Sequence, residues 1–278
     1  MSFTHNAITV LEKRYLKKDA KGNLTETPEG MLRRVARAVA NTEKSYGASD
    51  EQITDLENKF YDLMINLEFL PNSPALMNAG LEKGQLSACF VIPVPDSTDS
   101  IFDAIKMMAI TQKSGGGTGF SFSRLRPKGD CVKTTNGTAS GPVSFMKIFD
   151  AATEEIKQGG RRRGANMGLL NVHHPDILEF ITAKDNENIL QNFNLSVAVT
   201  DTFMNILEND GDYPLINLRT NEVIKKIKAK DVWNLIAIMA WKNGEPGVIF
   251  IDRINEFNPT PSLGRIEATN PCGFSKCG

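Results

Sequence analysis

From Ser87 onward the chain alternates short apolar runs with segments of helical period, and that alternation narrows the fold more than any other property of the sequence. "SACFVIPV" reads as a buried strand, and "STDSIFDAIKMMAITQKSGGG" as a capped helix that ends in glycines. "TGFSFSRLRP" is a second strand, followed by a helix over "SGPVSFMKIFDAATEEIKQGG" with Pro142 near its start. "ANMGLLNV" and "FNLSVAVTD" are further strands, each followed by a helical segment, "HPDILEFITAK" and "DTFMNILEN". "KDVWNLIAIMAWKNGEPGVIFIDRIN" adds one more helix and strand. The repetition predicts an α/β fold with a substantially parallel sheet whose strand ends carry the chemistry.

The region before it has a different texture. "ITVLEKRYL" spaces Ile8, Leu11, Tyr15 and Leu16 at helical intervals, and "DAKGN" is a turn. Thr27 as N-cap, Pro28 at the first position and Glu29 in the first turn start a helix whose buried face is expected at Met31, Val35, Ala38 and Val39. "DEQITDLENKFYDLMINLEFL" continues as another amphipathic helix. Residues 1–70 therefore read as a helical packing region, with the α/β part following from residue 71.

Charge and cysteine usage exclude several classes of function. A formal net charge of −1 over 278 residues gives no global field toward nucleic acid or an anionic membrane, so an anionic ligand must be held by local basic clusters. There is no apolar run long enough to span a bilayer and no charged-then-apolar leader, which predicts a cytoplasmic protein. Four cysteines do not make a disulfide scaffold, so a conspicuous thiol is catalytic, metal-binding or simply buried.

Three clusters stand at predicted element junctions. In "KSGGGTGFSFSRLRPKGD", Gly115, Gly116, Gly117 and Gly119 let backbone amides approach a ligand, and Arg124, Arg126 and Lys128 follow. The pattern fits neither the dinucleotide fingerprint nor the P-loop, and an ordinary glycine-rich turn fits it as well. In "KQGGRRRGANMG" three arginines sit among Gly159, Gly160 and Gly164, which would disrupt a solvated helix. A basic loop that closes over an anion accounts for them, because guanidinium groups bind phosphate through paired hydrogen bonds. The bland reading is an exposed loop that binds nothing in particular. Among the thiols, Cys89 sits in an apolar strand, where burial alone explains it, and Cys131 in a polar turn without evident partner. Cys272 and Cys277 are two thiols, too few to close a tetrahedral zinc site, and His173 and His174 before Pro175 read as capping and packing. No metal site follows from spacing.

Ordered along the chain, "LEKRYLKKD", "FLPNSPALMNAG", "SACFVIPV", "DSIFDAI", "GGGTGFSFSRLRPKGD", "ASGPVSFM", "KQGGRRRGANMG", "HHPDILEFI", "NFNLSVAVTD" and "EATNPCG" resemble the ribonucleotide reductases, most closely the adenosylcobalamin-dependent class. The resemblance covers the chain up to Gly273. It implies a helical N-terminal region followed by the first part of a ten-stranded α/β barrel with a finger loop through its centre. It further implies replacement of a ribose 2′-hydroxyl by hydrogen through a cysteine thiyl radical, with a dithiol as reductant. Residue by residue, Cys272 resembles the thiyl cysteine, Asn270 the asparagine that holds the substrate hydroxyls, and Cys89 one member of the redox dithiol. Ser73 resembles a substrate-phosphate ligand, and Ala88 and Gly117 backbone contacts to the nucleotide. Asp96, Ser97 and Arg126 match positions that bind an allosteric deoxynucleotide, while Lys157, Gln158 and Arg162 lie in the loop linking effector identity to base choice. Implied partners are a ribonucleotide substrate, deoxynucleotide effectors, a thioredoxin-type reductant acting through a C-terminal segment and a second copy in a homodimer, with no membrane and no direct nucleic-acid contact.

The resemblance stops in "GFSKCG". Where the family carries its catalytic glutamate this chain has Phe274, which cannot accept the 3′-hydroxyl proton. The family's second redox cysteine lies farther beyond the radical cysteine than Cys277 does, so the role is not carried to Cys277. The expectation is a portion of a larger reductase that does not turn over ribonucleotides by itself. The alternative is a truncated, non-catalytic nucleotide-binding or dimerisation module.

Overall fold

The structure is a computed structural model that describes residues 3–82, 84–132, 137–156, 164–185 and 188–272. Two compact units divide the chain, Met1–Ala88 with Ser114–Gly116, and Cys89–Lys113 with Gly117–Gly278.

The first unit is helical: α1 (His5–Arg14), α2 (Pro28–Ala40), α3 (Asp50–Ile65) and α4 (Ser73–Asn78), with a 3₁₀ turn over Asn41–Tyr46. The Thr27 hydroxyl accepts the Gly30 N–H at 3.1 Å and Pro28 occupies the first turn, which starts α2 where the sequence places it. A reciprocal capping box between Ser49 and Gln52 starts α3. Met31, Leu32, Val35 and Ala36 of α2 pack with Leu16, Met64, Leu76 and Ala79. The buried stripe is thus rotated from the expected one, and Val39 is exposed. Helix α3 also stops earlier than its sequence pattern suggests, because Leu67 takes a positive φ of 60° and leaves Phe69 and Leu70 exposed.

A bidentate ion pair ties this unit together. Arg34 donates to both Glu26 carboxylate oxygens, at 2.7 and 3.0 Å, and to the Ala79 and Leu76 carbonyls near the end of α4. Burial pushes the Glu26 carboxyl up, but the hydrogen bonds from Arg34 and the Lys17 N–H, with the charges behind them, more than offset it. Its folded pKa therefore lies below the ordinary value of 4.5. The stabilisation is complete above that value and is lost as pH falls through the folded pKa. Arg34→Ala is expected to cost about 3 kcal/mol at neutral pH, since it leaves a carboxylate with little access to water unpaired. Urea midpoints measured from pH 7 to pH 3 check this: the wild-type midpoint should fall more steeply with acid than that of the variant.

The second unit carries a five-stranded parallel sheet built in chain order from β1 (Cys89–Val91), β2 (Gly117–Ser121), β5 (Asn166–Asn171), β6 (Phe193–Val199) and β9 (Gly247–Phe250). Helices α5 (Thr98–Lys113), α6 (Pro142–Ile156), α7 (Ile177–Ile181), α8 (Asp201–Glu208) and α9 (Ala229–Asn243) fall between strands, and α10 (Ile251–Glu256) follows β9. Period-2 alternation turns Phe120, Leu170, Leu195 and Val197 into one core with Met108, Met146, Phe149, Phe180 and Phe203 of the helices. Within it Phe120 meets Phe149 edge to face at 4.9 Å. A helical region followed by a parallel α/β sheet agrees with the fold class read from the sequence, as the first part of a barrel.

Two antiparallel hairpins interrupt the alternation, β3 (Cys131–Val132) with β4 (Gly137–Thr138), and β7 (Asp212–Asn217) with β8 (Glu222–Lys228). The second has no counterpart in the sequence reading. The signal was there, since Tyr213, Leu215 and Asn217 are buried in alternation and Asn221 takes a positive φ at the turn. His174 caps α7 as its position suggests: its Nδ1 accepts the Asp176 N–H at 3.1 Å and its Nε2–H donates to the Leu125 carbonyl at 2.9 Å. Burial holds this imidazole neutral by pushing its pKa down, against the opposing pull of that carbonyl and of Asp176.

Candidate functional site

Cys89 stands opposite Gly117 across β1 and β2, and Gly119 stands opposite Met167 across β2 and β5. Residues directly opposite share a face, so all four belong to the side of the sheet away from the helical core. The segment Ala268–Cys272 runs along that side, with Ala268, Thr269 and Asn270 buried. Glycine is what admits it. A Cβ on Gly119 would sit 1.9 Å from the Thr269 carbonyl oxygen, and one on Gly117 would sit 3.0 Å from the Pro271 ring. Asn194, opposite Met167, donates from Nδ2 to the Pro271 carbonyl at 3.2 Å, and the Cys272 N–H donates to Asn270 Oδ1 at 3.0 Å. These contacts bring the Cys89 and Cys272 sulfurs to 3.8 Å across 183 residues of sequence. Cys89 is buried and Cys272 exposed. At that separation a single hydrogen can lie between the two sulfurs, the arrangement required for hydrogen-atom exchange or disulfide closure.

A second locus lies beyond the C-terminal end of β1. Arg126 donates through Nε to Asp96 Oδ2 at 2.9 Å and through its backbone N–H to Oδ1 at 3.2 Å. Ser97 caps α5, its hydroxyl accepting the Ser100 N–H at 3.1 Å. Asp96, Ser97 and Arg126 line one cavity of 530 Å³ together with Ser140 and Phe145, and with Arg219 from the turn of the β7–β8 hairpin. This volume suits a nucleotide-sized molecule. Sequence reasoning missed Arg219 because it passed over the hairpin that carries it.

Two family models cover nearly the whole chain: the ribonucleotide reductase all-alpha domain over residues 1–84 and the ribonucleotide reductase barrel domain over residues 87–273. The chain belongs to the ribonucleotide reductase family. It is 47% identical to the vitamin B12-dependent ribonucleoside-diphosphate reductase of Thermoplasma acidophilum, over 98% of this chain and 43% of that protein. It is equally 47% identical to the enzyme of that name from Mycobacterium tuberculosis, over 96% of this chain and 38% of the relative. The ribonucleoside-diphosphate reductase subunit alpha of Helicobacter pylori is 29% identical over 97% of this chain. The chain thus spans about two fifths of the length of the curated relatives it matches.

Within this reductase chain the residues singled out from sequence fall into four groups. Cys89, Gly117, Asn270 and Cys272 converge on one face of the sheet, and Asp96, Ser97 and Arg126 on one cavity. Ser73 opens α4 in the first unit, where its hydroxyl is hydrogen-bonded to the Tyr15 hydroxyl at 2.9 Å, and the half-buried Ala88 ends that unit's first segment. Lys157, Gln158, Arg162, Phe274 and Cys277 lie outside the described residues. Among the described residues no helix is long and apolar enough to cross a membrane.

Proposed function

We propose that this chain forms the part of a ribonucleotide reductase that carries the radical cysteine, one member of the redox dithiol and the effector site. The observation that carries the reading is the 3.8 Å approach of Cys272 to Cys89 beside Asn270. In the proposed chemistry Cys272, as thiyl, takes the 3′-hydrogen of the ribose and later returns it. Asn270 holds the ribose hydroxyls, and the backbone at Gly117 contacts the nucleotide. Cys89 gives hydrogen to the 2′ carbon as the hydroxyl leaves as water. Net, the ribonucleotide and two thiols yield deoxyribonucleotide, disulfide and water, so an external dithiol of the thioredoxin type must restore the thiols.

The names of the relatives point to adenosylcobalamin as cofactor. When bound, it supplies a radical that a thiol quenches by giving up a hydrogen atom. Cys272 fits that role, because its exposure lets the hydrogen be taken from outside while buried Cys89 stays shielded. The exposed side of α5 carries Phe102, Met107 and Ile110, which supports a homodimer built on that helix near the effector cavity.

Co-expression with the C-terminal part of a vitamin B12-dependent relative tests the reading. With adenosylcobalamin and a dithiol, the pair is expected to convert cytidine diphosphate to its deoxy form. Turnover that survives Cys272→Ala would refute the radical assignment. The effector cavity, with Arg126 fixed by Asp96, also supports a second reading, a nucleotide-binding and dimerisation module without catalysis. Deoxynucleotide binding with no turnover after complementation would select it. On either reading Arg126→Ala is expected to weaken deoxynucleoside triphosphate binding roughly tenfold or more, as measured by calorimetry, because a charge-assisted phosphate contact is lost.

A further inference from the structure

We propose that Arg219 is a second guanidinium ligand for the phosphates of the nucleotide held in the Asp96–Arg126 cavity, and that Asp130 positions it. The inference rests on the effector reading of that cavity and extends it to a residue that neither the sequence motifs nor the family resemblance assigned.

Arg219 is a fixed fork and not a loose surface side chain. Its Nη2 donates to both Asp130 oxygens, at 2.8 and 2.9 Å, and its Nε to Oδ2 at 3.2 Å. Asn217, only 4% exposed, donates from Nδ2 to the same carboxylate at 3.1 Å and accepts the Arg219 N–H on Oδ1 at 3.0 Å. The turn of the β7–β8 hairpin is thereby locked to Asp130 at the edge of the β3–β4 hairpin, and Arg219 lines the cavity from that side.

Arg126 reaches the same cavity in a matching state. Its Nε and Nη2 are occupied by Asp96, and its Nη1 makes no hydrogen bond among the described residues. Nη1 of Arg219 is in the same condition. Each guanidinium has thus committed its Nε–Nη2 edge to an aspartate, Arg219 to the carboxylate alone and Arg126 to the carboxylate and backbone carbonyl of Asp96, and kept one amino group with two N–H donors. Two such donors on one cavity suit an anion with several oxygens, and bidentate recognition of phosphate is what a pre-oriented guanidinium does best.

The rest of the lining tells a nucleotide from a bare phosphate. Asp96 and Asp99 balance the two arginines, and Thr98, Thr138 and Ser140 add hydroxyls. A bare polyanion meets as much repulsion as attraction there. A deoxynucleotide does not, since its sugar hydroxyl can donate to a carboxylate while its phosphates take the guanidinium edges.

The test is calorimetric titration of the purified chain with dTTP and with thymidine. The unsubstituted chain is expected to bind dTTP more tightly than thymidine. Arg219→Ala should reduce the dTTP affinity roughly tenfold and leave that of thymidine within about twofold. Arg219→Lys should recover only part of the loss, because an ammonium cannot keep both the Asp130 pairing and a phosphate contact. Asp130→Asn should weaken dTTP by a smaller factor by releasing the fork. If the unsubstituted chain binds dTTP and Arg126→Ala weakens it while Arg219→Ala does not, the role of Arg219 is overturned and the effector reading stands. A parallel loss of dTTP and thymidine in Arg219→Ala would overturn it too, by showing a purely structural effect. If the unsubstituted chain binds no deoxynucleoside triphosphate, the effector reading falls and takes this inference with it.

Discussion

In a preparation that reduces ribonucleotides, Cys272→Ser is expected to lower turnover by roughly a thousandfold or more, the scale seen when a nucleophile or equivalent reacting group is removed. A serine keeps the size, the backbone hydrogen bond to Asn270 and the packing of Pro271, so the fold has no reason to change. What is lost is a weak S–H bond that a carbon radical can exchange with at little cost. Cys89→Ser is expected to stop net reduction as well, for a different reason: the dithiol then lacks the member that gives its hydrogen to the 2′ carbon. Product formation by each variant, compared with the unsubstituted protein, separates the two. Turnover persisting in Cys272→Ser would sink the thiyl assignment, and turnover persisting in Cys89→Ser would sink the dithiol assignment alone.

Gly119→Ala is the second large effect, and it acts through packing. The new Cβ would overlap the Thr269 carbonyl oxygen at 1.9 Å, the Thr269 carbonyl carbon at 2.8 Å and the Asn270 Cα at 2.9 Å. All three atoms are backbone, so no side chain can rotate away. Either the sheet yields or Ala268–Cys272 lifts off it, at a cost of more than about 3 kcal/mol. Denaturant unfolding reads the first outcome. The second is read by oxidation with diamide: the unsubstituted chain should close a Cys89–Cys272 disulfide readily from 3.8 Å, and Gly119→Ala should not. Gly30→Ala is the control, since its Cβ meets nothing closer than 3.4 Å in a helix and should leave both measurements unchanged or slightly raise stability. An unaltered midpoint and an unaltered disulfide rate in Gly119→Ala would show that the close approach does not exist.

Local chemistry made much of this legible in the sequence. Thr27 and Pro28 announce α2 because a cap and a fixed φ act within a few residues, and the strand-helix alternation announces the parallel sheet because period 2 and period 3.6 are visible in short windows. Val39 was misplaced because the buried stripe of α2 is decided by what packs on it, Leu16, Met64 and Leu76, and not by the helix itself. The β7–β8 hairpin escaped because β8, Glu222–Lys228, has no buried residue to set a pattern. Arg219 escaped with it. The approach of Cys89 to Cys272 lay out of reach of spacing altogether. Before the family resemblance is considered, one cysteine reads as an inert core residue and the other as half of an unfinished metal clip.

That same contact has a consequence for the birth of the protein. The strands lie side by side in the order of synthesis, so the sheet can grow from β1 outward as each strand emerges, with no strand waiting for a later neighbour to be inserted. The thiol pair obeys the opposite schedule. With its members 183 positions apart it cannot form before Cys272 is made, and at ribosomal speeds Cys89 waits on the order of ten to forty seconds for Cys272 to arrive. During that interval Cys89 has no sulfur of Cys272 opposite it, and the pair comes into being only once the scaffold that confines it is built.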